Sequence, residues 1–312
     1  MAQSHIGRVV FWMTGALLSF SASALAIRAL AKELNIFEIL TIRSGLGLAI
    51  LLALVAARPS LRGELAFRYM HLHLARNSVH FVGQYCWSLA VTLLPFATVF
   101  ALEFTTPAWV ALLAALFLHE RMTRSRLGSV VLGFLGVVVI VRPGFASFQP
   151  TALLVLLAAL AYAVSLIITK KLTEHVSTFA IIFWMNVIQL PLGLFWPVAA
   201  ASSGGPPLFV TRMSADLLVP TIVFGIVGVT SHYCLTRAFR SGDATVVVPL
   251  DFLRIPLIAL VGWMFYGEPL DAFVFAGAAL IITGILWNLR AESRRSRTPI
   301  ATGTEQAQAA QT

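Results

Sequence analysis

Charge is scarce in this chain: only 11% of its 312 residues are Asp, Glu, Lys or Arg. Soluble domains carry about a quarter. That deficit, with 59% hydrophobic residues and a mean hydropathy of +0.88, excludes an ordinary water-soluble fold and points to an all-α polytopic membrane protein. Cysteine is nearly missing as well. Cys86 and Cys234 both lie in apolar stretches, which suits buried packing and argues against a disulfide. There is no Walker-type phosphate loop, hence no built-in ATP motor, and no HExxH, paired CxxC or GxSxG pattern occurs. His71-Leu72-His73 is an isolated pair that reads as solvated loop rather than a metal site. No cofactor is expected. No secretory cleavage pattern precedes the first apolar run, which begins at Val9 and is long enough to remain as an anchor.

What is present is a succession of apolar runs of about twenty residues, the length that crosses ~30 Å of hydrocarbon. Ten are placed near 9–30, 37–57, 74–94, 97–118, 126–142, 151–170, 177–200, 217–238, 244–266 and 271–289. Arg58-Pro59-Ser60, Arg142-Pro143-Gly144 and the stretch SSGGPP at 202–207 punctuate them. Residues 291–312 lack apolar periodicity and read as a disordered cytoplasmic tail. The loop charges set the direction. With the N-terminus cytoplasmic, Arg8, Arg58, Arg62, Arg68, Arg121, Arg124, Arg126, Lys170, Lys171, Arg237, Arg240 and the tail arginines fall inside, whereas only Lys32, Arg142 and Arg212 fall outside. The positive-inside rule then puts both termini in the cytoplasm. It also accounts for the formal charge of +9 without invoking nucleic acid.

The chain repeats itself. YCWSLAVTLLPFATVFALEFTTPAWVALLAALFLHE (85–120) matches YCLTRAFRSGDATVVVPLDFLRIPLIALVGWMFYGE (233–268). Tyr85-Cys86 recurs as Tyr233-Cys234, Ala97-Thr98-Val99 as Ala244-Thr245-Val246, Glu103-Phe104 as Asp251-Phe252, and Glu120 as Glu268. The copies occupy roughly 9–143 and 151–290 and hold five helices each. An odd number obliges the second copy to enter from the opposite side, giving two inverted five-helix repeats, a frequent construction of secondary transporters.

The five-plus-five count, Arg43 early in the second helix, and the pattern LEFTTPAWVALLAALFLHERMTRSRLGSVVLGFLGVVVIV with its second-half twin resemble the EamA family of the drug/metabolite transporter superfamily. The similarity extends to about Arg290. The resemblance implies a ten-helix secondary carrier for small organic metabolites in bacterial inner membranes, and makes Glu120 and Glu268 notable as residues of gating or packing.

Polar residues inside such segments are expensive and therefore informative. A charge at the bilayer centre costs about 2.5–3.5 kcal/mol on insertion scales, yet Asp251 and Arg254 stand three residues apart in the ninth run. They are either an ion pair that lets the helix insert or a substrate and proton site, and the second reading is preferred because intramembrane ionisable groups are functional by default. Glu103, the twin of Asp251, either takes part in proton coupling or pairs with an arginine of another helix. Arg43 presents a planar donor fork suited to a substrate carboxylate, or else neutralises Glu103. Asn186 and Gln189 share a face of the seventh segment and suit substrate hydrogen bonding or helix–helix adhesion. His232 adjoins the repeated Tyr-Cys block, while His80 reads as structural. Arg28 and Arg76 read as helix-end residues that reach out to the interface. The tryptophans Trp12, Trp87, Trp109, Trp184 and Trp263 read as bulk or cavity wall.

The function expected from these features is secondary active transport of a small amino-acid-like or carboxylate-bearing metabolite by alternating access, with protons as a possible coupling ion. The alternative class is an intramembrane enzyme acting on a lipid or isoprenoid phosphate. The sequence leaves substrate, direction and oligomeric state open.

Overall fold

The computed structural model describes residues 2–117, 122–142, 149–211, 213–241, 250–251 and 253–297. Among the described residues there are eleven α-helices and no strand. In chain order they are α1 (Ala2–Leu30), α2 (Ile36–Ala57), α3 (Met70–Leu93), α4 (Phe96–Glu103), α5 (Thr106–Phe117), α6 (Arg124–Val141), α7 (Ala152–Thr173), α8 (Thr178–Ser202), α9 (Leu218–Ser241), α10 (Arg254–Tyr266) and α11 (Ala272–Arg297). Several starts are written in the side chains. Asn35 accepts from the Glu38 N–H at 3.0 Å while the Glu38 carboxylate accepts from the Asn35 N–H at 2.9 Å, a reciprocal cap of α2. Thr123 and Ser177 cap α6 and α8 in the simpler way.

Eight segments are long and apolar enough to cross a membrane: Gly7–Leu30, Ile36–Ala57, Phe96–Leu113, Arg124–Val141, Ala152–Thr169, Thr178–Ser202, Ala215–Leu235 and Ala272–Ala291. Arg254–Tyr266 is apolar but shorter. The third expected span, 74–94, corresponds to α3, whose buried His73, Arg76, Asn77, His80 and Gln84 keep it out of that group. Burial is turned inside out relative to a soluble protein. Those groups lie in the interior, while Phe11, Phe195 and Phe265 are largely exposed, as expected where lipid rather than water is the solvent. The expected tail also differs: α11 continues to Arg297, beyond the boundary set at 290.

The most extensive helix contacts are α1 with α9, α6 with α11, α3 with α7 and α2 with α8, while α4 packs against both α7 and α10 and α5 against α7. Small residues permit close approach at these seams. A Cβ at Gly136 of α6 would lie 2.6 Å from the Gly277 carbonyl of α11, and the converse distance is the same. A Cβ at Gly47 would lie 2.5 Å from the Asn186 Oδ1 of α8. At the centre sits α4, whose Val99, Phe100, Ala101 and Leu102 are wholly buried.

The continuous fourth helix expected over 97–118 is broken. It stops at Glu103 and restarts at Thr106. The chemistry of the break is local: Pro107 has no N–H for the Glu103 carbonyl, and the Thr106 hydroxyl donates to that carbonyl instead, at 2.7 Å. The Thr105 hydroxyl does the same for Leu102 at 2.7 Å. The ninth expected helix, 244–266, is described only from Leu250, and there too a turn at Leu253 separates Asp251 from α10. Pro256 falls in the first turn of α10, where a missing N–H is tolerated. Pro249 and Phe252 lie outside the described residues.

Candidate substrate site

Arg254, the first residue of α10, is the hub of the interior. Its Nη2 donates to Asp251 Oδ2 at 2.7 Å, and its Nη1 lies 3.6 Å from Glu103 Oε1. The other Glu103 oxygen accepts from the Trp87 indole N–H of α3 at 2.8 Å. Three rings enclose the guanidinium, with centroids at 4.6 Å for Phe20, 5.1 Å for Phe104 and 5.5 Å for Phe100, a cation–π cage that tolerates charge without water. One cation thus holds two carboxylates, and each carboxylate sits where its helix breaks. Among the described residues, Asp251 Oδ1 and Arg254 Nε are enclosed without a hydrogen-bond partner, so the cluster retains one acceptor and one donor for a further polar group.

Phe20 joins this hub to a second polar group, because its ring also meets His232 edge-on at 6.1 Å. Here Gln189 Nε2 and His80 Nδ1 are 3.0 Å apart, and the Tyr162 ring lies 5.4 Å from that of His80. Arg43 packs against Gly228, where a Cβ would stand 3.2 Å from its Nε. The expected alternative that Arg43 neutralises Glu103 is not what forms; Glu103 pairs with Arg254. Asn186 turns back on its own helix, donating to the Ile182 carbonyl at 2.9 Å, and meets α2 at Gly47. That contact is a helix seam.

Two arginines set aside in the sequence turn inward. Arg76 donates through Nε to Thr169 at 3.2 Å and through Nη1 to Asn77 at 2.7 Å, and is buried. Arg28, expected to reach for the interface, instead closes one end of the bundle. It donates to the Val91 carbonyl at 2.7 Å and the Leu94 carbonyl at 2.5 Å, forms an ion pair with Glu268, and stacks on Phe96 at 3.5 Å. The second Glu268 oxygen accepts from the Phe96 N–H at 2.8 Å, capping α4. Glu268 can fold back so far because residue 262 is glycine; a Cβ there would lie 2.2 Å from its Oε2. One ion pair therefore ties α1, α3, α4 and the end of α10 together. Arg142 and Asp271 form a second tie, at 2.5 Å, between α6 and the start of α11. Glu120, the expected counterpart of Glu268, lies outside the described residues.

The sequence paired Asp251 with Arg254 but offered Arg43 as the named partner of Glu103, gave Trp87 only as bulk or cavity wall, and did not single out Phe20 or Tyr162. Trp87 directly follows the repeated Tyr85-Cys86 pair, a signal that was available. Nothing in the apolar run around Phe20 distinguishes it.

Comparison with known proteins agrees with this architecture. The profile of the EamA-like transporter family matches residues 7–142 and 149–290. The riboflavin transporter of Rhizobium johnstonii is 32% identical over 74% of this chain and 74% of its own length. The S-adenosylmethionine uptake transporter of Rickettsia felis is 27% identical over 91% of this chain and 92% of its own. A protein solved by crystallography shares the fold with a TM-score of 0.61 at 17% identity, over 93% of this chain and 99% of that one. The chain is an integral membrane protein and belongs to the EamA-like transporter family.

Proposed function

We propose that the protein is a secondary active carrier that moves a small carboxylate-bearing metabolite across a bacterial inner membrane by alternating access, with Glu103 and Asp251 exchanging protons at its centre. The observation that carries this is the pair of broken helices, each interrupted beside an acid and both acids held by Arg254. Broken helices near the midplane are where secondary transporters build their sites, because freed backbone is tolerated only against a cavity.

The ten-span, inverted-repeat arrangement of 9–143 and 151–290 belongs to this proposal, and the packing supports it. Exchanging the two halves helix for helix turns α1·α9 into α7·α3 and returns α2·α8 and α6·α11 to themselves, so these four pairings are consistent with the exchange. The connections support the alternation of sides. The Ser177 hydroxyl donates to Glu64 at 2.5 Å and Tyr69 stacks on His175 at 4.5 Å, joining two loops assigned to the cytoplasm. The Ser214 hydroxyl donates to Glu33 at 3.0 Å, joining two loops assigned outside. With both termini cytoplasmic, the Arg28–Glu268 tie becomes an outer gate, closed in this conformation.

The named relatives carry small organic solutes, which favours the carrier over an enzyme acting on lipid phosphate. Reconstituted protein, given riboflavin, S-adenosylmethionine and a set of amino and carboxylic acids under an inward proton gradient, is expected to accumulate a solute. Turnover of a lipid phosphate without solute flux would overturn the proposal.

A further inference from the structure

The interior charges do not balance where the sequence suggested they would. Arg254 engages both Glu103 and Asp251, which leaves Arg43 and Arg76 without an acid. Each is only 7% exposed. Among the described residues neither has an ion-pair partner; Arg76 finds the neutral Thr169 and Asn77, and Arg43 rests against Gly228. Asn77 Nδ2 is likewise enclosed with nothing to donate to. Gly228, against which Arg43 packs, stands one turn before His232 on the same face of α9, so Arg43 and the His80 group border the same stretch of the interior. Arg76 stands one turn before His80 on the same face of α3, and His80 meets Gln189 and Tyr162. A buried cation without a counter-charge is strongly unfavourable, and two are more so.

We propose that Arg43 and Arg76, with His80 and Gln189, form an anion subsite that takes a carboxylate or phosphate group of the transported solute. It rests on the carrier reading above and changes the substrate class it implies. The solute carries more negative than positive charge, because Arg43, Arg76 and Arg254 are three cations facing only two acids, Glu103 and Asp251. Arginine forks suit either oxyanion.

The test needs no knowledge of the solute. Purified full-length protein in phosphatidylcholine nanodiscs is titrated with inorganic phosphate and with citrate against chloride at matched ionic strength, following melting midpoint and tryptophan fluorescence. The expected result is saturable stabilisation by phosphate or citrate that chloride does not reproduce. Arg43→Gln and Arg76→Gln should each weaken it at least tenfold while raising the midpoint of the anion-free protein, since a stranded charge is removed. Arg124→Gln, at the exposed start of α6, should change neither. Arg43→Lys, which keeps the charge and loses the fork, should lie between wild type and Arg43→Gln, and serves if a glutamine variant does not fold. No anion-specific shift, or an unaltered one in both glutamine variants, overturns the subsite. So does stabilisation by phosphatidylglycerol discs alone, which would assign the arginines to a lipid headgroup. Anion binding without flux of any solute would defeat the carrier reading only. Flux with unchanged KM in both glutamine variants would defeat the subsite only.

Discussion

Arg254 is the residue on which the interior turns, and its removal strands two carboxylates at once. Arg254→Leu is expected to destabilise the protein by about 3 kcal/mol, the lower end for breaking a buried ion pair, since both acids keep about a fifth of their side chains exposed. Arg254→Lys should recover part of that stability and none of the transport, because an ammonium cannot span two carboxylates with one planar fork while stacked among three rings. Thermal unfolding in micelles together with uptake measures both. Asp251→Asn should insert normally and transport nothing, an amide being unable to take up and release a proton. A neutralised centre, with Glu103→Gln, Asp251→Asn and Arg254→Leu together, separates stability from function. It should regain most of the stability lost by Arg254→Leu and remain inactive. Normal flux in it would make the cluster an insertion device only.

Among the elements, the short helix α4 is the most constrained, capped by Glu268 at one end and broken by Thr105, Thr106 and Pro107 at the other. Gly262→Ala should push Glu268 off the Phe96 N–H, cost about 1–3 kcal/mol as an overpacked contact, and speed hydrogen exchange in the first turn of α4, read by mass spectrometry. Unchanged exchange would show that Glu268 does not hold this end. Thr106→Val should cost about 1 kcal/mol, one hydrogen bond to the Glu103 carbonyl. These devices mark the limit of what the sequence conveys. The acids and Arg254 were legible because charges stand out in apolar surroundings. The break after Glu103 was not, because the run from Ala97 to Leu118 is long and apolar enough overall to read as one span, and two threonine hydroxyls and one proline decide where it yields. Arg28 was misplaced for a related reason. Nearness to a helix end suggests an interfacial side chain, but whether it turns outward or inward depends on Glu268, 240 residues away.

For the whole molecule, the proposed topology makes a simple demand. Reporters fused after Arg68, Arg126 and Arg240 should report cytoplasm, and one near Gly205 the opposite face. Agreement of all four on one side would end the inverted scheme. The central claim, that the two acids on Arg254 couple solute movement, is tested most directly by accumulation in proteoliposomes. Vesicles carrying wild-type protein, an inward proton gradient and a defined mixture of small organic metabolites are compared by mass spectrometry with vesicles carrying folded Asp251→Asn protein and with empty ones. The account predicts that wild-type vesicles concentrate an anionic, carboxylate- or phosphate-bearing solute, while the Asp251→Asn vesicles match the empty ones. Equal accumulation by wild type and Asp251→Asn, or none by either, would contradict it.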